Sequence, residues 1–69
     1  MRITYDRERD AAIISYDDSH KDSADSIAEA VYMIGIDFEA WEEDNNNSLL
    51  IYATPAEYFK ITEIYKSMC

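Results

Sequence analysis

Ser26-Ile-Ala-Glu-Ala-Val-Tyr-Met-Ile-Gly-Ile-Asp-Phe-Glu-Ala-Trp41 is the stretch on which the fold turns, because its two halves follow different periods. From Ile34 onward, Ile34, Ile36, Phe38 and Ala40 alternate with Gly35, Asp37, Glu39 and Trp41. A strand places successive side chains on opposite faces, so one apolar face meets a core while two carboxylates and an indole share the other. That is the pattern of a half-buried strand. The preceding residues 26–33 read two ways. Ser26 with Glu29 makes a helix capping box and Gly35 a helix C′ residue, whereas Ile27, Val31 and Tyr32 favour a strand.

Working outward, Arg2-Ile-Thr-Tyr5 and Ala11-Ala-Ile-Ile-Ser-Tyr16 are short, β-branched and aromatic, and are separated by the charged Asp6-Arg-Glu-Arg-Asp10. They predict a hairpin. Residues 17–26 hold no apolar side chain but Ala24, and their Ser and Asp groups compete with regular backbone bonding, so a loop is expected there. Downstream, Glu42-Glu-Asp-Asn-Asn-Asn-Ser48 is a polar turn and Leu49-Leu-Ile-Tyr52 another strand. Thr54-Pro-Ala-Glu57 combines an N-cap Thr, a Pro at N1 and a Glu at N3, which starts a helix over roughly 55–67. Its stripe is Tyr58, Ile61, Tyr65 and Met68, flanked by Phe59 and Ile64.

A chain of 69 residues forms one domain, here 1–69, without internal repeats or linkers. Such a domain buries only about 60 per cent of the surface its unfolded chain exposes, so its core is thin and a second copy, a homodimer, is expected to complete it. An apolar content of 48% is too high for a disordered tail. The net charge of −9 repels phosphate backbones and anionic lipid, which argues against direct binding to nucleic acid or membrane. Its distribution is uneven. Residues 1–16 and 45–69 are each neutral, while residues 17–44 carry ten carboxylates against the single Lys21. The apolar run over residues 30–36 is far below the ~20 residues of a membrane span, and the first six residues lack the apolar core of a signal peptide. The one cysteine, Cys69, can close no internal disulfide, which suits a reducing compartment. The expectation is a soluble cytoplasmic protein of a bacterium or of a virus infecting one.

Met1-Arg-Ile-Thr-Tyr-Asp6 followed by Asp10-Ala-Ala-Ile-Ile-Ser-Tyr16 resembles the small prokaryotic family catalogued as domain of unknown function 2283. Ile34-Gly-Ile-Asp-Phe38 and Leu49-Leu-Ile-Tyr52 occupy the places of that family's later strands, so the likeness covers roughly residues 1–53. Where the family has an Asp-x-x-Gly turn, this chain has Glu43-Asp-Asn-Asn-Asn-Ser48 and no glycine, and its last helix is longer. The resemblance implies strand for 27–32 and a β-rich fold, and it supplies no activity. With it, the expected architecture is α+β: a small antiparallel sheet of four to five strands with one C-terminal helix packed on it.

Chemistry gives fewer leads. A nucleophile needs a base within reach, and the only histidine, His20, lies in the polar segment while Cys69 is terminal. Ser15, Ser19 and Ser48 lack an elbow or glycine context, and Asp37 with Glu39 has no apolar pocket to raise a pKa. No catalytic residue, no metal ligand and no cofactor is therefore assigned. Asp17, Asp18, Asp22 and Asp25 with His20 are rich in hard donors, but their spacing lacks the alternation, central Gly and closing Glu of an EF-hand. The function expected is that of a small acidic protein-binding module, an inhibitor occupying a basic nucleic-acid-binding groove of a partner as an anti-CRISPR-like nucleic-acid mimic would. Its candidate contacts are Asp37, Glu39, Trp41, Glu42, Glu43 and Asp44, with Asp17, Asp18, Asp22 and Asp25 as a second cluster. The alternative is a non-catalytic oligomeric β module, antitoxin-like or housekeeping, acting through a self-associating sheet.

Overall fold

The N-terminal hairpin forms as its composition predicts: β1 (Arg2–Asp6) pairs antiparallel with β2 (Ala11–Tyr16) across the turn at 7–10. In this computed structural model, which describes residues 1–68, a 3-10 turn (Asp18–His20) leads into helix α1 (Lys21–Met33). Strand β3 (Phe38–Trp41), strand β4 (Asn47–Tyr52) and helix α2 (Pro55–Met68) follow. Cys69, read above as a terminal thiol, lies outside the described residues. The four strands form one antiparallel sheet in the order β1-β2-β4-β3, and the fold is α+β.

The segment before β3 departs from expectation. Residues 17–26 are not a loop and 27–32 are not a strand, so the strand implied by the family resemblance is overturned and the sheet carries two helices rather than one. The cause is legible in retrospect. Ala24, Ile27, Ala28 and Val31 recur at helical spacing, and Ala24, Ile27 and Val31 are buried with Ala28 half-buried beside them. The Ser and Asp residues that argued for a loop instead sit in the first turns, where carboxylates suit the positive end of the helix dipole. Asp17 is the N-cap of the 3-10 turn, accepting from the Ser19 backbone N–H at 3.1 Å.

The expected strand at 34–41 shortens for a related reason. Gly35, at φ +83°, closes α1: its N–H bonds the Tyr32 carbonyl and the Ile36 N–H bonds the Val31 carbonyl, a Schellman motif. Ile36 and Val31 are both buried, which supplies the apolar contact of that motif. The capping box of α2 forms as predicted, with Thr54 N–H donating to Glu57 Oε1 (2.9 Å) and Glu57 N–H to Thr54 Oγ1 (3.2 Å). Of its predicted stripe, Ile61 is fully buried and Tyr58, Ile64 and Tyr65 are half-buried, while Phe59 and Met68 remain exposed.

The chain is built twice. Each hairpin is followed by a helix, and the second strands of the two hairpins meet antiparallel at the sheet centre, an approximate two-fold arrangement. Equivalent core positions recur at constant spacing: Ala12 with Leu49, Ile14 with Ile51, Tyr16 with Ala53, Ala24 with Ile61, Ile27 with Ile64 and Ala28 with Tyr65. Earlier in each hairpin Ile3 matches Phe38, because Ile3 pairs Ile14 and Phe38 pairs Ile51. The expectation of no internal repeat is corrected here. It escaped notice because the matched residues differ in size.

Both helices lie on the face formed by Ile3, Ala12, Ile14, Leu49 and Ile51. The smallest dimension of the molecule, 17 Å, holds one sheet and one helical layer, so the other sheet face is bare.

Candidate acidic binding surface

The two acidic clusters separated in sequence meet at one end of the sheet. Glu43, Asp44, Asn45 and Asn46 form a turn closed by a 2.8 Å bond from the Asn46 N–H to the Glu43 carbonyl. Asp44 and Asn45 have positive φ (43° and 65°), the signature of a type I′ turn, and Asp and Asn are the residues that tolerate it without glycine. This turn is clamped to the start of α1. Asn45 Oδ1 accepts from the Asp18 N–H at 2.8 Å, Asn47 Nδ2 donates to Asp18 Oδ1 at 2.9 Å, and Asn47 Oδ1 accepts from the Glu43 N–H at 3.2 Å.

Asn47 was placed in a polar turn by its sequence neighbours; in the structure it begins β4 and is the buried polar residue of the core, 1% exposed. Its amide is satisfied on both sides, which is what makes burial tolerable. Lys21 bridges the same junction, with Nζ 3.3 Å from Glu42 and 4.0 Å from Asp18, and the Glu42 carboxylate raises the lysine pKa. Tyr16 is pushed up by burial and by the nearby Glu42 and Asp25.

Asp17, Ser19 and His20 also come together, but as a cap. Ser19 Oγ and His20 Nδ1 (2.8 Å) both donate to Asp17 Oδ1, so the serine proton faces a carboxylate rather than an imidazole base. These bonds, Ser19 first and then His20, hold the Asp17 pKa at about 2. Among the described residues no group of three or more His, Cys, Asp or Glu side chains is arranged to hold a metal ion.

The structure thus joins Asp17, Asp18, Glu42, Glu43 and Asp44 at one end, with Asp22 and Asp25 exposed on the adjoining turns of α1. Asp37 is elsewhere: its carbonyl accepts from the Tyr52 N–H at the opposite end of the sheet. Glu39 and Trp41 lie on the bare sheet face, opposite Leu50 and Ser48, with Trp41 62% exposed. Glu39 reaches Tyr52, whose hydroxyl is pushed up by burial and then by that carboxylate.

At the far end the equivalent junction has different chemistry. The β1–β2 turn meets the start of α2 around an open pocket of about 620 Å³ lined by Tyr5, Arg7, Asp10, Pro55, Tyr58 and Phe59. The Tyr5 and Tyr58 rings are 5.1 Å apart and tilted by 55°, and the Tyr5 hydroxyl donates to the Ala53 carbonyl at 3.2 Å. Burial, then Asp10, raises the Tyr5 pKa. Sequence reasoning missed this pocket because its walls come from distant segments. The N-capping signal at Thr54, which starts α2 and so sets Tyr58 against Tyr5, was the available clue.

No helix among the described residues is long and apolar enough to cross a membrane. No family model, no curated protein and no solved structure matches the chain.

Proposed function

We propose that this protein is a binding module that presents its acidic end to a basic nucleic-acid-binding groove of a partner protein, inhibiting that partner by occupying the place of the phosphate backbone. One observation carries the reading: the carboxylates of two separate segments stand on a single surface made rigid by the Asn47, Asn45 and Asp18 bonds. Carboxylates that are already ordered lose little entropy on docking, and their field steers a cationic partner towards them. Glu43, Asp44, Asp22 and Asp25 are the contacts free to meet it, whereas Asp18 and Glu42 also hold the junction together. Such grooves belong to the cytoplasm of a bacterial cell or of an infected host, where an anti-CRISPR-like inhibitor would act.

Changing Asp22, Asp25 and Glu43 to Lys tests the reading, since the side chains of all three are exposed and make no bond to the fold. Affinity capture from a bacterial lysate at low and high salt, with competition by duplex DNA, should retain a nucleic-acid-binding protein at low salt only and lose it to DNA and to the triple variant. Capture that is indifferent to salt, to DNA and to the substitutions rejects it. A second reading, an oligomeric β module of antitoxin-like or housekeeping role, draws on the bare sheet face with its exposed Trp41 and Tyr52.

A further inference from the structure

The sheet face away from the helices is apolar at its centre. Ile13 and Leu50 pair across β2 and β4 and are only half-buried, while Tyr52 and Trp41, 42% and 62% exposed, stand on the rows to either side. Its charges differ from those of the acidic end. Arg2 lies on one edge strand, Glu39 on the other, and Asp6 is engaged by Arg9 at 3.7 Å. A nearly neutral apolar face with one cation and one anion at opposite edges suits a surface like itself better than a basic groove. Isolated apolar patches of this kind on small domains mark association sites.

We propose that this face is the contact of a symmetric dimer, in which a second copy lies face to face, turned about an axis parallel to the strands. That rotation lays β1 of one copy over β3 of the other and β2 over β4. The register then sets Ile13 over the partner's Leu50 and Ser15 over the partner's Ser48, while Ala11, already buried within its own chain, makes no contact. Arg2 comes over the partner's Trp41 and within reach of the partner's Glu39, giving a cation–π contact and an ion pair at each edge. Rotation about the perpendicular axis would instead place Glu39 on the partner's Glu39. The chosen arrangement brings the two acidic ends side by side, so their repulsion opposes association. The face offers about half the 20–30 residues a side of a standard interface, which makes the dimer a weak one.

Sedimentation equilibrium over a concentration series at low and high salt tests this. Dimerisation should strengthen as salt rises, opposite in sign to docking of a basic partner. Leu50→Lys should weaken it by about 100-fold with the far-ultraviolet circular dichroism unchanged. Arg2→Glu and Glu39→Arg should each weaken it by about 10-fold, and the double variant should recover to within about 3-fold of the native chain. A monomer at every concentration and salt, an undiminished Leu50→Lys dimer, or a double variant no tighter than either single one would overturn the proposal.

Discussion

The two halves of this molecule place the same elements at the same junction and fill it with opposite chemistry. Where the β3–β4 turn meets the start of α1, the contacts are amides, carboxylates and Lys21. Where the β1–β2 turn meets the start of α2, Tyr5, Tyr58, Phe59 and Pro55 dominate, with Arg7 and Asp10 at the rim. The backbone frame needs a turn packed on a helix start, and either polar clamping or aromatic contact satisfies it. Binding chemistry can therefore change at one end while the frame stays.

The comparison is most strongly tested in the core. Ile14 and Ile51 are equivalent and both 0% exposed, so Ile14→Ala and Ile51→Ala should each cost about 3–4 kcal/mol in urea unfolding and agree within about 1 kcal/mol. Unequal costs would mean that the halves share topology without sharing packing. At the junctions the halves should diverge. Asn47→Ala leaves Asp18 and the Glu43 N–H without their partner and should cost about 2 kcal/mol. Asp10 holds the matching position at φ +49° on the exposed turn, and Asp10→Gly, which relieves that φ but gives up the acceptor for the Tyr5 hydroxyl, should change stability by less than about 0.5 kcal/mol.

The helix ends come next. Gly35→Ala meets no atom within 4 Å, so its cost, about 1 kcal/mol, is that of the positive φ alone. Thr54→Ala should cost about 1 kcal/mol through the lost cap of α2. The smallest effect is in pH. Asp17 is held at about 2 against an ordinary 3.8, so the fold favours its charged form. The stability this contributes is present above 3.8 and is lost as pH falls towards 2. Asp17→Asn should flatten the decline of stability across that window. An unchanged slope would assign the acid sensitivity to other carboxylates, such as Glu57 in the first turn of α2, lowered by the Thr54 backbone and side chain.

Local signals were legible in the sequence because their physics is local: Thr54 with Glu57 and the β1–β2 hairpin both depend on residues a few positions apart. Helix α1 was misread because Ser and Asp argued for a loop over 17–26, and Ile27, Val31 and Tyr32 together with the family resemblance argued for a strand over 27–32; packing of Ala24, Ile27 and Val31 under the sheet decides for the helix. The repeat was illegible for a packing reason. Each half fills its own surroundings with side chains of the size they require, so Ala12 is matched by Leu49 and Tyr16 by Ala53, and topology recurs with little identity. The acidic surface could be counted from composition, but the clamp through Asn47 could not, because nothing in a run of three asparagines says which one is buried.

The central ladder between β2 and β4 has a consequence for how the chain assembles. Each ββα unit forms its own hairpin over short loops, while this ladder is the strand pairing that joins one unit to the other and must wait for a longer closure. A chain cut at Gly35 should therefore yield two fragments that reconstitute the native spectrum when mixed, each acting as the template that completes the other's sheet.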